Sequence, residues 1–218
     1  NDIESYAALA CIAIQSNQND QHGGQSVPNF DYGMAPGVKK AYKRLYVTNL
    51  GKMLDFLEDV EDGVERMKAL EGKIEHEYGV FPCMAWDNNY AELELAELKK
   101  IVPEAEAMKM QDRSRKFADK EIRRKTYQAM EAFIHNLNTM HSRAGAQVPF
   151  SSINYGTDTS PEGRLVMESV MLATEAGLGN GETPIFPIQI FKVKEGVNYN
   201  PEDPNYDLFK LACKVSAK

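Results

Sequence analysis

Cysteine is scarce in this chain: Cys11, Cys83 and Cys213 are the only three in 218 residues. Their spacing builds neither a disulfide framework nor a C-x-x-C pair, so a reducing, cytoplasmic setting is expected. The four histidines, His22, His76, His135 and His141, lie far apart and none neighbours a cysteine. His135 and His141 fall on one predicted helix but on different faces, so no metal site is expected within the chain. Long apolar runs are missing too. The longest, Tyr6–Ile14, is too short to span a bilayer, and no signal peptide is visible, so no membrane partner is expected. Positive charge is in deficit: 25 Lys and Arg against 32 Asp and Glu give a net charge of −7. That balance argues against a nucleic-acid polymer as partner but leaves single nucleotides open, since these need only a few local donors.

What remains is an ordinary globular composition, 43% hydrophobic and 26% charged, enough for one large domain or one and a half smaller ones. There is no internal repeat and no low-complexity segment. Asp2, Glu4 and Ser5 suit the positive end of a helix over Ile3–Gln18, apolar on all sides in its middle and therefore expected to be buried. Asn17–Gly24 supplies turn chemistry, and Gln25–Phe30 is a short candidate strand weakened by Pro28. From Gly37 to Arg143 the chain reads as mostly helical. Leu50, Met53, Leu54 and Leu57 keep a helical period, Tyr78–Asn89 is a loop, Pro103 interrupts a helix over Tyr90–Gln111, and the longest helix covers Lys116–His141. The period then changes: strand Val148–Tyr155, helix Pro161–Leu178, strand Ile185–Val193, helix Tyr206–Lys218. Strand, helix, strand, helix is a βαβα unit, which favours a parallel sheet or part of a barrel. IFPIQIF, apolar on both faces, fits a parallel strand covered on both sides.

Two segments carry candidate chemistry. In the loop Tyr155–Gly163, Thr159 with Glu162 fits a capping box, and Ser160–Pro161 fits an N-cap followed by proline in the first turn. The same loop can be a cap and nothing more. It can also bind phosphate through backbone N–H groups and the hydroxyls of Thr157, Thr159 and Ser160, with Arg164 adding charge. In the preceding strand Ser151, Ser152 and Asn154 are polar where burial is expected, so they either bond locally or face a ligand cavity. Ser152 and Asn154 share a face with Val148 and Phe150, apolar at one end and polar at the other. Cys83 is the one cysteine outside a predicted helix, and the acidic runs Glu58–Glu61 and Glu92–Glu97 read as solvated faces.

The string HSRAGAQVPFSSINYGTDTSPEGR at 141–164, with NQNDQHGG before it and GNGETPIFPIQIF after it, resembles the anaerobic (class III, glycyl-radical) ribonucleoside-triphosphate reductases. The likeness is close over Ile12–Gly24 and Asn138–Lys218 and loose over Gly72–Arg115. It implies an interior fragment of the catalytic subunit, and both ends of the chain look like cuts. The fold implied is α/β and helix-rich: part of a ten-stranded α/β barrel, a βαβα unit and a large helical insertion. Residues 1–36 would hold a buried helix and the first barrel element, and 37–143 a helical dimer and effector interface. Residues 144–218 would form the βαβα part of the barrel. His22, Gly23, Gly24 and Gln25 match a family turn leading into a barrel strand. Ser151, Ser152, Asn154, Thr157, Thr159, Ser160 and Arg164 would contact substrate or effector phosphate.

The family's reaction replaces the ribose 2′-hydroxyl of a nucleoside triphosphate by hydrogen. It uses a thiyl-radical cysteine, a glycyl radical, a four-cysteine zinc site, ATP and deoxynucleotide effectors, formate as common reductant and a radical-SAM activating enzyme. None of the radical or zinc motifs occurs in this chain, so no catalytic residue is expected in it. The resemblance also implies a homodimer, and exposed strand edges lead to the expectation that the fragment is a dimer or larger. The alternatives are an α/β-barrel enzyme of other chemistry that binds a phosphorylated ligand, or a helical interaction module.

Overall fold

A computed structural model describes residues 2–21, 23–57, 60–141 and 147–217. Among these the order is α1 (Ile3–Asp20), β1 (Gln25–Val27), α2 (Phe30–Leu57), α3 (Gly63–Tyr78), α4 (Tyr90–Leu98), α5 (Glu104–Thr139), β2 (Ser151–Tyr155), α6 (Pro161–Ala176), β3 (Ile188–Phe191) and α7 (Tyr206–Ser216). The chain divides into two compact units: Asn1–Val38 with Arg123–Lys218, and Lys39–Ile122.

The first unit holds one sheet of three parallel strands in the order β1-β2-β3. β2, α6, β3 and α7 follow one another as the expected βαβα unit. Local chemistry sets α6: Ser160 accepts the Gly163 N–H at 3.1 Å, Pro161 opens the helix, and Gly177 closes it at φ 82°. One face of the sheet is covered, with Ile153, Tyr155 and the α6 residues Leu165, Val166, Met167, Val170 and Met171 all buried. The other face is open, and there the expectation of a strand covered on both sides is corrected: Ile188 and Ile190 are exposed. The α1 expectation changes likewise. Ile3, Ala7, Cys11, Ile14 and Gln18 are buried, while Leu9 and Ile12 are 60% and 57% exposed. An all-round apolar sequence does not say which of its faces finds a cover.

The second unit is helical, and its core draws on Tyr42, Tyr46, Leu50 and Leu54 of α2, Ile74 of α3, Tyr90 and Leu98 of α4, and Met110 and Ile122 of α5. Pro103 interrupts the helical run as expected, standing between α4 and α5, and its carbonyl accepts the N–H groups of Glu106 and Ala107. The helix then runs 36 residues without a break where the sequence was read as two pieces. α2 also starts earlier than expected, at Phe30, once the Pro28–Asn29 turn has ended β1.

Candidate functional site

Where parallel strands end and helices begin, main-chain donors and loop side chains converge, and ligands of such sheets bind at that edge. β2 ends at Tyr155 and is followed by Gly156 at φ 132°. A Cβ there would lie 2.6 Å from the Lys192 carbonyl oxygen, so only glycine fits. The next N–H groups turn inward together: Gly156, Thr157 and Asp158 donate to one oxygen of Asp31, at 3.0, 3.0 and 3.1 Å. Asp31, in the first turn of α2, is fully buried, and its second oxygen accepts the Tyr32 N–H. Two buried amides hold the carbonyls of the same loop. Asn198 donates to Gly156 and Lys192, and Asn205 to Gly156 and Asp158. The Tyr32 hydroxyl donates to the Thr157 carbonyl at 2.9 Å.

Arg164 lies one turn into α6. Its guanidinium donates to the Pro204 carbonyl, to Asn205 and to Asp207, the last at 2.6 Å. Partial burial works against the Asp207 carboxylate, but the hydrogen bond and charge of Arg164 hold it below its ordinary range. Thr157 and Ser160 are half-buried and Thr159 is exposed. The Asp158 carboxylate accepts the Ser160 N–H at 2.9 Å, so the N-cap is itself capped.

The strand register sorts the other expected residues. Ser26 pairs with Ser152, Ser152 with Ile188 and Asn154 with Ile190, which places these five on the open face. Ser26 and Asn154 are linked there at 3.4 Å. Phe150, 54% exposed, carries the same face toward its apolar end and stacks edge-on against Phe186. Ser151 belongs to the covered face, and its buried hydroxyl has no hydrogen-bond partner among the described residues. Gly24 lies against the Phe150 ring and Gln25 donates its N–H to the Phe150 carbonyl, while Gly23 takes φ 93°. His22 lies outside the described residues.

The helical unit offers two features of its own. Arg44, Leu45, Thr48, Asn49 and Lys52 of α2 and Phe117 of α5 line an open hollow of about 270 Å³. Arg44, Thr48 and Lys52 recur every four residues, so two cations and a hydroxyl share one helix stripe beside a part-exposed ring. The second is a buried carboxylate. Glu94 is 1% exposed and accepts hydrogen bonds from Tyr46 at 2.5 Å, Tyr90 at 2.9 Å and Gln111 at 2.8 Å. Burial raises its pKa against the pull of those three donors.

Cys11 and Cys83 are buried, and desolvation pushes the Cys11 thiol up to about 12. Cys213 is exposed on α7. Among the described residues no three potential metal ligands cluster, and no helix is long and apolar enough to cross a membrane.

Asp31, Tyr32, Asn198, Asn205 and Asp207 were not singled out from sequence. The signals available were an acidic residue opening a helix after Pro–Asn, and the Asn- and Asp-rich stretch before α7. Neither says that both segments meet at residues 156–158.

A family model for anaerobic ribonucleoside-triphosphate reductase matches residues 1–218. The anaerobic ribonucleoside-triphosphate reductase of Escherichia coli (strain K12) is 36% identical over 103 residues, 47% of this chain and 14% of that protein. The enzyme of the same name from Enterobacteria phage T4 is 35% identical over 120 residues, 55% of this chain and 20% of that protein. That from Haemophilus influenzae is 36% identical over 98 residues, 44% of this chain and 14% of that protein. The matched stretch thus spans a fifth or less of each relative. With a parallel βαβα unit in the expected place and the family's model matched from end to end, the chain belongs to the anaerobic ribonucleoside-triphosphate reductase family.

Proposed function

We propose that this chain is an interior part of the catalytic subunit of an enzyme that reduces ribonucleoside triphosphates to deoxyribonucleotides. Its three parallel strands would be part of a ten-stranded barrel, with the open face of β1, β2 and β3 turned to the substrate chamber. The observation that carries this is the open face itself, where Ser26, Ser152 and Asn154 stand beside Ile188 and Ile190. A polar patch on an otherwise apolar sheet face is what fixes the orientation of a nucleotide while excluding water around it.

At the edge of that face the hydroxyls of Thr157, Thr159 and Ser160 are the proposed phosphate contacts. Arg164 has five N–H donors and uses three on Pro204, Asn205 and Asp207, which leaves two for a phosphate oxygen. The hollow lined by Arg44, Thr48, Lys52 and Phe117 suits a nucleotide effector, with cations for phosphates and a ring for the base. Binding there is proposed to depend on a homodimer.

In the family the thiyl and glycyl radicals would supply the radical chemistry, and a four-cysteine zinc site would be structural. The cysteines of this chain do not fit them: Cys11 and Cys83 are buried, and no metal-capable cluster, around Cys213 or elsewhere, occurs among the described residues. Those groups are assigned to other segments of the parent protein. The test is anaerobic turnover by the parent with its activating enzyme and formate. Conversion of ribonucleoside triphosphates is expected from the parent and none from residues 1–218 alone. An inactive parent, or turnover by the fragment, contradicts the proposal.

A further inference from the structure

Three consecutive N–H groups aimed at one oxygen form an anion-binding nest, the arrangement that holds phosphate in many α/β proteins. In this chain the nest of Gly156, Thr157 and Asp158 is filled by a carboxylate from 125 to 127 residues away. Asp31 is completely buried, and four main-chain N–H groups meet its carboxylate. The carbonyls of the same residues are gripped from the other side by Asn198, Asn205 and Tyr32. Both polarities of the loop backbone are therefore bound to protein.

We propose that Asp31 is a built-in anion: the Gly156–Asp158 nest is a carboxylate-binding site whose ligand is the chain's own side chain. Asp31 is thereby the positioning residue of the β2–α6 loop. It fixes the turn that carries Thr157 at the edge of the open face, and it closes the nest to outside phosphate. The recognition of a ligand at this edge then falls to side chains, the hydroxyls of Thr157, Thr159 and Ser160 and the amide of Asn154, not to the main chain. The clamp stands whether or not the sheet face binds nucleotide; only the consequence for phosphate rests on the proposed function.

Chemical rescue in the full 218-residue chain tests it. Asp31→Ala vacates the nest, and the melting temperature is expected to fall by roughly 5–10 °C, several charge-assisted bonds being lost. Acetate should restore at least half of that loss saturably, with the amide resonances of Gly156, Thr157 and Asp158 moving on the same curve. Sodium chloride at equal ionic strength should not. Asn198→Ala loosens the same loop without creating an anion vacancy, so its lost stability should not respond to acetate. If Asp31→Ala does not fold, Asp31→Asn keeps the shape and removes the charge, and the three amide protons should shift upfield together. Overturning results are a rescue equal in Asn198→Ala, no acetate response in a folded Asp31→Ala, or unmoved amides in Asp31→Asn. Saturable shifts of the three amides by inorganic phosphate in the unsubstituted chain would also overturn it. Each is read without nucleotide, so failure of the clamp and failure of the reductase assignment stay distinguishable.

Discussion

The two units each bury a carboxylate, and they satisfy it in opposite ways. Asp31 in the sheet-bearing unit meets four main-chain N–H groups, three of them from a loop far along the chain. Glu94 in the helical unit meets two phenols and one amide, all from side chains. Main-chain donors cannot rotate away, and they belong to a loop that must hold one shape, so Asp31 organises backbone at a candidate binding edge. Phenols are neutral, rotatable donors. They satisfy Glu94 without offsetting the full cost of burying its charge, so its pKa is raised. One carboxylate places a loop; the other fills a helical core at the expense of a pH dependence.

The largest effect that would break this comparison is expected in the helical core. Glu94→Ala strands the hydroxyls of Tyr46 and Tyr90, leaves the Gln111 amide with the Ala91 carbonyl alone, and should cost about 3–5 kcal/mol. Glu94→Gln, which keeps an acceptor, should cost far less. The single tryptophan, Trp86, packs 4.9 Å from Tyr46, so its fluorescence in denaturant reports this unit. Equal losses in both variants would mean that the cluster is held by shape and not by its hydrogen bonds.

Next comes Gly156→Ala. Its φ of 132° and the Lys192 carbonyl 2.6 Å away predict a loss of about 2–3 kcal/mol, together with disturbed amides at residues 157 and 158. A variant as stable as the parent chain would show that the loop can relax and that the Asp31 clamp does not depend on its geometry.

The pH dependence sharpens the contrast with a smaller effect. Glu94 has a raised folded-state pKa, so its contribution is fully present below the ordinary glutamate value and is lost as pH rises through the raised one. Glu94→Gln should therefore gain on the unsubstituted chain as pH rises from about 4 toward neutrality. Asp207 runs the other way: its contribution is present above the ordinary aspartate value and lost as pH falls through the depressed one. It is exposed, so solvent screening keeps that term small. Denaturation of both Glu94→Gln and Asp207→Asn across pH checks the two signs.

Smallest in stability is Arg164→Ala, which removes a part-exposed ion pair and should lower the melting temperature of the parent protein by only a few degrees. Its nucleotide affinity should drop about tenfold, the worth of one charge-assisted bond. Unchanged affinity would reduce Arg164 to a tie between α6 and the segment before α7.

Features set by neighbours in sequence were legible without a structure. Ser160, Pro161 and Gly177 announce α6, and the switch from helical to alternating period announces β2 and β3. Pro103 announces the break between α4 and α5, while the continuity of α5 across Gln111–Lys116 depends on packing that the local pattern does not carry. The basic stripe Arg44–Thr48–Lys52 and the Asp31 clamp were invisible for a different reason. Each takes its meaning from a partner brought in by tertiary structure, Phe117 for the stripe and residues 156–158 for the clamp. The open faces of β3 and α1 share that origin: composition counts apolar side chains but does not say what covers them.

The central claim is that the open face of the sheet contacts the nucleotide, and Asn154→Ala in the parent protein tests it most directly. Asn154 is half-buried and its side chain accepts one long bond, 3.4 Å, from the exposed Ser26 hydroxyl, so the melting temperature should hardly move. The account predicts that kcat/KM for ribonucleoside triphosphates falls tenfold or more at unchanged stability. Unchanged kcat/KM in a folded variant would contradict it and leave the face as packing surface for the rest of the parent.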